Sequence, residues 1–162
     1  MRINSRSRAA LTVAGLMVGA CVPATAQRTP RGSWNTISDQ DGRATATVQI
    51  ADSGGVYRGT VRALLVPAEP NDSVCGRCSG DRRGRRIVGM EILSGMHHVG
   101  DSARREWGGG EILDPETGKT YKAIMTLSDD GQTLTVRGYI GFSVFGRSQK
   151  WKRAESATMQ ER

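Results

Sequence analysis

Rings and thiols are scarce in this chain: three Trp, three Tyr, two Phe, two His and three Cys among 162 residues. So few aromatics leave little material for a lipid-lined cavity, although 21 glycines could leave space where side chains are small. The only histidines, His97 and His98, are immediate neighbours that would point apart on a strand, so a zinc site lacks ligands and no metal is expected. A sustained helical period is missing after Trp34, which excludes a Rossmann-like sheet. Long apolar runs are missing too. The stretch Ala9 to Ala20 is shorter than the ~20 apolar residues a membrane span needs.

That short run has another use. Arg2, Arg6 and Arg8 precede it, and Ala24-x-Ala26 follows, the layout of a secretory signal cut after Ala26. A rival reading takes "VGAC" as a lipoprotein signal with Cys21 carrying the lipid; Val18 stands where Leu is usual, and clean cleavage is favoured. The expected division is a signal over 1–26, a linker over 27–31, a barrel domain over 32–154 and a disordered tail over 155–162. Cleavage removes 26 of 162 residues and leaves 136, enough for one domain with its own core. Three of the 23 basic residues leave with the signal, so 20 face 16 acidic ones and the net charge falls from +7 to +4. Much of the basicity belongs to export. The remaining cluster, "DRRGRR" with Arg82, Arg83, Arg85 and Arg86, could meet anionic lipid or nucleic acid but is expected to be a solvated loop, and without interleaved aromatics it does not indicate nucleic acid.

What the chain has is alternation. "ATATVQIA" places Ala46, Val48 and Ile50 on one face; "VYRGTVRALLV", "RIVGMEIL", "KTYKAIMTL", "QTLTVRGYI" and "RSQKWKR" continue the series. Turn sequences such as "ADSGG", "DPETG" and "SDDGQ" separate them. Regular short strands with hairpin turns predict an all-β fold, a single antiparallel barrel, which leaves no edge strand exposed. "ETGKT" looks like the end of a phosphate-binding loop, but Leu113 occupies the place of its first glycine. A strand, not a helix, follows Gly118-Lys119-Thr120. The segment is a hairpin: Asp114 opens the turn, Pro115 sets φ, and Gly118 closes it.

Other chemical motifs fail in similar ways. "GFSVF" misses the nucleophile elbow because Phe145 replaces its second glycine. Asp114 and Glu116 would sit in a solvated turn, with no desolvation to raise a pKa. No catalytic constellation emerges, and no enzyme activity or cofactor is expected. "CGRC", Cys75 and Cys78, is expected to be a structural disulfide in an oxidising compartment, with a redox-active pair or a metal site as alternatives.

Two resemblances sharpen the fold. "GSW" at Gly32–Trp34, with Trp151 and Arg153 at the other end, resembles the lipocalin arrangement in which an arginine of the last strand lies over a tryptophan of the first. More specifically, "WGGGEILDPETGKTY", "VRGYIG" and "GRSQKWKR" closely resemble the exported bacterial family called domain of unknown function 2147. The matching positions are Trp107, Gly109, Asp114, Gly118, Lys119, Tyr121, Arg137, Gly138, Tyr139, Gly141, Gly146, Arg147, Gln149, Trp151 and Arg153. The likeness spans about 32 to 153 and departs from the family at the Cys75/Cys78 loop, where many members carry an acidic segment. It implies a lipocalin-like barrel outside the cytoplasm and brings no established activity.

Binding is therefore the expectation: Trp107, Tyr121, Arg137, Tyr139, Arg147 and Trp151 are candidates for holding a small amphipathic molecule without catalysis. The alternative places Leu134, Val136 and Ile140 inside a filled barrel with Arg137 and Tyr139 outside, in an envelope module that binds protein or glycan. The apolar tip "IGFSVF", Ile140 to Phe145, is expected to close over the barrel mouth, with a ligand portal or a membrane or partner contact as alternatives. The periplasm of a Gram-negative bacterium, or secretion, is the expected location, with anchoring to the outer membrane through Cys21 as its alternative.

Overall fold

Two-residue alternation becomes eight antiparallel strands in the computed structural model, which describes residues 29–67, 70–101, 103–142 and 146–154. These are β1 Gly32–Ile37, β2 Ala44–Ser53, β3 Val56–Leu64, β4 Glu91–His98, β5 Glu106–Asp114, β6 Lys119–Leu127, β7 Thr133–Tyr139 and β8 Gly146–Arg153. Each strand pairs with its neighbours in sequence and β8 returns to β1, closing the barrel. Among the described residues there is no α-helix, hence none able to cross a membrane, and one 3-10 turn, Gly80–Arg82. The expected signal with Ala26, Cys21 and the tail beyond Ala154 lie outside the described residues, as do Ser143, Val144 and Phe145 of the apolar tip.

Cross-strand partners share a face, so the register shows what fills the barrel. Trp34 lies opposite Val48, Val48 opposite Val61, Met125 opposite both Trp107 and Val136, and Leu134 opposite both Leu127 and Trp151. Trp34, Val48, Ile50, Leu93, Met96, Ala123, Met125, Leu134 and Trp151 have no solvent exposure. Glycine is required where neighbouring strands crowd one another. A Cβ on Gly59 would lie 2.9 Å from Leu93 Cβ and 3.2 Å from Val48 Cγ1, and one on Gly110 would strike the Ser94 carbonyl and Met96 sulfur. The middle of the barrel is packed with side chains.

One end is sealed. The Trp34 indole donates to Pro30 O at 2.8 Å, and the Arg153 guanidinium lies 4.2 Å from the ring centroid. Arg153 also donates to the carbonyls of Gly131 at 2.7 Å, Arg31 at 3.0 Å and Thr29 at 3.3 Å, stitching the β6–β7 turn and the entering chain to the lid. Burial holds its pKa below the ordinary guanidinium value. The other end carries the β1–β2, β3–β4, β5–β6 and β7–β8 connections.

Two expectations on the strands need correction. "RIVGMEIL" is not one strand: Met90 N bonds Ile87 O at 3.0 Å and Gly89 takes φ +92°, so residues 87–90 turn and β4 begins at Glu91. Ile140 does not join Leu134 and Val136 inside. β7 stops at Tyr139 and Gly141 turns at φ +70°, leaving Ile140 68 % exposed. The "DPETG" hairpin forms as read. Asp114 accepts from Glu116 N at 2.9 Å and Thr117 Oγ1 at 2.8 Å, Gly118 N donates to Asp114 O at 2.8 Å, and β6 follows directly.

Two outcomes follow from the sealed end. Arg153→Ala should lower the unfolding free energy by about 2–4 kcal/mol, through the lost cation–π contact and carbonyl bonds, as read by urea denaturation. Tyr57, packed edge-on to Trp107 with centroids 5.9 Å apart, has its phenol pKa raised by burial and then by the Asp52 carboxylate. The unfolded chain ionises first, so this stability is present below pH ~10 and lost as pH rises through the higher folded value. Tyr57→Phe should flatten that alkaline decline in thermal melts.

Candidate functional site

Binding at the open end requires inward-facing side chains near that rim, and the register assigns them. Along β8, Arg147, Gln149 and Trp151 lie opposite Gly138, Val136 and Leu134 of β7, so all three belong to the inner face. Tyr121 lies opposite Ile112 on the same face. Arg137 and Tyr139 alternate with buried Val136 and with Gly138, and therefore point outward; Arg137 donates to Ser148 Oγ at 3.1 Å.

The six candidate residues do not gather at one place. Trp107, at the start of β5, belongs to the sealed half, edge-on to both Tyr57 and His98 at 5.9 and 5.6 Å. Trp151 is wholly buried beside the seam, its indole donating to Gln149 Oε1 at 2.9 Å. Arg137 and Tyr139 are on the outer wall because Leu134 and Val136 claim the interior. Of the six, Tyr121 and Arg147 are the two on the inner face near the open rim. There Arg147 reaches across to the β1–β2 turn and donates to Asp39 Oδ2, from Nη2 at 3.0 Å and Nε at 3.2 Å.

Sequence reasoning missed the partners of these two. Half-buried Ala46, Leu64 and Ile112 pack on the core, and their register with Thr36, Ala46 and Leu93 puts them on the inner face. The rim thus offers an apolar wall from Leu64 and Ile112, a phenol from Tyr121, an amide from Gln149 and a guanidinium already paired with Asp39. Periodicity could have shown the face of each residue. It could not show the register that sets one strand against the next.

The long β3–β4 connection forms a second feature on the outer wall. Cys75 and Cys78 are joined in a disulfide, and both are buried. Around them Cys75 N donates to Arg85 O and Gly84 N to Cys75 O, each at 2.9 Å, while Val74 pairs with Arg86 as an antiparallel bridge. This plate lies on the β5–β6 turn: Cys75 sulfur contacts Pro115 O at 3.3 Å, and a Cβ on Gly118 would strike the Arg77 carbonyl. Leu113, on the outer face of β5, is buried. Beside the plate runs a groove of about 450 Å³ bordered by Asp81, Arg82, Arg85, Arg86 and Val88–Glu91. A smaller pocket of about 100 Å³ adjoins it across Arg82 and Glu91. His97 and His98 are not drawn together: one approaches Gly95 O, the other Arg104 O at 2.6 Å beside Trp107. Among the described residues no three His, Cys, Asp or Glu are grouped to hold a metal ion.

Comparison with known proteins agrees with this architecture. The model of a family described as an uncharacterized protein conserved in bacteria (DUF2147) matches residues 32–153. The chain belongs to that family. Among solved structures it is similar to protein HP1028 of Helicobacter pylori, described as belonging to the lipocalin family. The TM-score is 0.65 at 19 % identity, covering 78 % of this chain and 83 % of that one. At that identity the likeness establishes the barrel fold and nothing finer. No curated protein matches.

The rim ion pair is largely solvated, with Arg147 and Asp39 side chains 76 % and 44 % exposed. Asp39→Ala should therefore change stability by less than about 1 kcal/mol in chemical denaturation. Replacing Cys75 and Cys78 together by Ser should cost about 2 kcal/mol or less, because the loop closed is short.

Proposed function

We propose that this DUF2147 protein is an exported, non-catalytic binding protein whose ligand is a small amphipathic molecule seated at the open end of the barrel. One observation carries the reading: the inner wall is apolar and filled from Trp34 to Leu93 and Met125, and becomes half-exposed and chemically mixed only at the rim. An apolar body would rest on Leu64 and Ile112. A polar head would meet Tyr121 and Gln149 and compete with Asp39 for Arg147. The filled interior makes this a shallow seat. Export is supported by the arginine-led apolar run ending at Ala24-x-Ala26, and a Cys75–Cys78 disulfide suits an oxidising compartment such as the periplasm. The two tidiest carboxylates, Asp114 and Glu116, belong to a hairpin turn whose bonds occupy Asp114, and this favours binding over catalysis.

A second reading has its own support. A packed interior suits an envelope module that engages a protein or glycan on its surface, and Ile140 and Phe142, 68 % and 78 % exposed beyond β7, would supply apolar contact.

Protein purified from periplasm and examined by native mass spectrometry should retain a small-molecule adduct. Tyr121→Ala combined with Arg147→Ala should weaken its retention about tenfold, the factor that ~1.4 kcal/mol represents, with the thermal midpoint little changed. A wild-type spectrum with no adduct would remove the small-ligand reading and favour the interaction module.

A further inference from the structure

The arginines of "DRRGRR" read in sequence as a solvated loop, but the fold gives three of them a common task. Arg82, Arg85 and Arg86 border one groove of about 450 Å³, together with Val88, Gly89 and the largely buried Met90. Among the described residues, none of the three makes an ion pair or a side-chain hydrogen bond. Of the two carboxylates on the groove, Glu91 is taken by Arg58 at 3.3 Å, which leaves Asp81 against three guanidiniums. Like charges this close repel, and an unanchored loop would spread them apart.

This loop is anchored. The Cys75–Cys78 bond, the Val74–Arg86 bridge and the Ile87 N to Ser73 O bond at 2.9 Å hold both ends of the arginine segment. The 3-10 turn Gly80–Arg82, with Arg85 N bonding Arg82 O at 3.1 Å, sets the spacing between. Such pre-organisation reduces the ordering cost when a ligand binds.

We infer that this outer-wall groove is a binding site for an amphiphile carrying a phosphate head group, separate from the barrel rim. A carboxylate is satisfied by one guanidinium fork. Phosphate presents more acceptor oxygens and can engage several arginines together. Val88 and Met90 give the attached apolar part a floor, which inorganic phosphate would not use. The phosphate can come from a membrane lipid or from a dispersed phosphorylated amphiphile, and both present the same chemistry to the groove.

The test is calorimetric titration of the full mature chain with dodecyl phosphate, below its micelle concentration, against inorganic phosphate and dodecyl maltoside. Dodecyl phosphate should bind at least about tenfold more tightly than either control, and the affinity should fall as salt rises. Replacing Arg82, Arg85 and Arg86 together by Gln should weaken it at least about tenfold without lowering the thermal midpoint, and Arg85→Gln alone should give a smaller loss in the same direction. Co-sedimentation with vesicles of phosphatidylcholine, with and without phosphatidylglycerol, separates the sources. Arginine-dependent pelleting with the anionic vesicles identifies a bilayer lipid, and dodecyl phosphate binding without pelleting identifies a dispersed amphiphile. Equal binding of dodecyl maltoside, undiminished affinity in the triple variant, or no binding of dodecyl phosphate would overturn the site. Retention of a rim adduct by the triple variant in native mass spectrometry would keep the rim reading intact whichever way the groove result falls.

Discussion

The pairing of the last strand with the first is the constraint on which the molecule depends. Across that seam Trp34 meets Arg153 and Thr36 meets Trp151. The two tryptophans it brings inside are both wholly buried, and the arginine caps one of them. Without the seam, β1 and β8 would be edge strands with unpaired backbone groups, and the inner face of each would open to water. With it, eight modest amphipathic ribbons share one core. The sealed end is the product of that closure, because Arg153 can stitch the β6–β7 turn and the entering chain only when β8 has returned to β1.

Filling has a functional consequence. Gly59 and Gly110 are needed because neighbouring strands crowd them too closely for a Cβ, and Leu93, Met96 and Met125 are wholly buried in the interior. A barrel packed this way cannot engulf a ligand as a hollow one would. On the reading proposed above, recognition is displaced to places where side chains remain available: the rim around Tyr121, and the outer wall where the disulfide-bound connection folds back. The first offers an arginine already neutralised by Asp39. The second offers three that are not paired among the described residues. The difference in charge compensation, more than any difference in shape, separates the two sites.

Local patterns carried much of the architecture into the sequence. Alternation marked the inner face of β2, β6 and β7 correctly through Val48, Ile50, Met125, Leu134 and Val136, and "GSW" with Arg153 foretold the sealed end. "DPETG" announced its turn because Asp, Pro and Gly each have a local reason to be there. What stayed hidden was set by distance. Ile140 has the right parity for the core, but the strand ends one residue before it. "RIVGMEIL" is apolar enough for a strand, yet Gly89 turns its first half. Trp107 shares a face with Tyr121 and Arg147 but lies at the opposite end, since height depends on tilt and on register shifts such as those at Thr47/Val48 and Trp107/Gly110. Arg82, Arg85 and Arg86 gained a shared groove only through long-range anchoring at Ser73, Val74 and Pro115, which no short window contains.

The central claim is that the barrel is closed and filled, with ligand chemistry confined to its rim and outer wall. Backbone and methyl chemical-shift mapping by NMR, during titration of residues 27–162 with an amphiphile, tests it most directly. The account predicts perturbations clustered on residues 81–91 or around Leu64, Ile112 and Tyr121, with Val48, Leu93, Met125 and Leu134 unmoved. Large shifts at those four, marking a molecule lodged in the middle of the barrel, would contradict it.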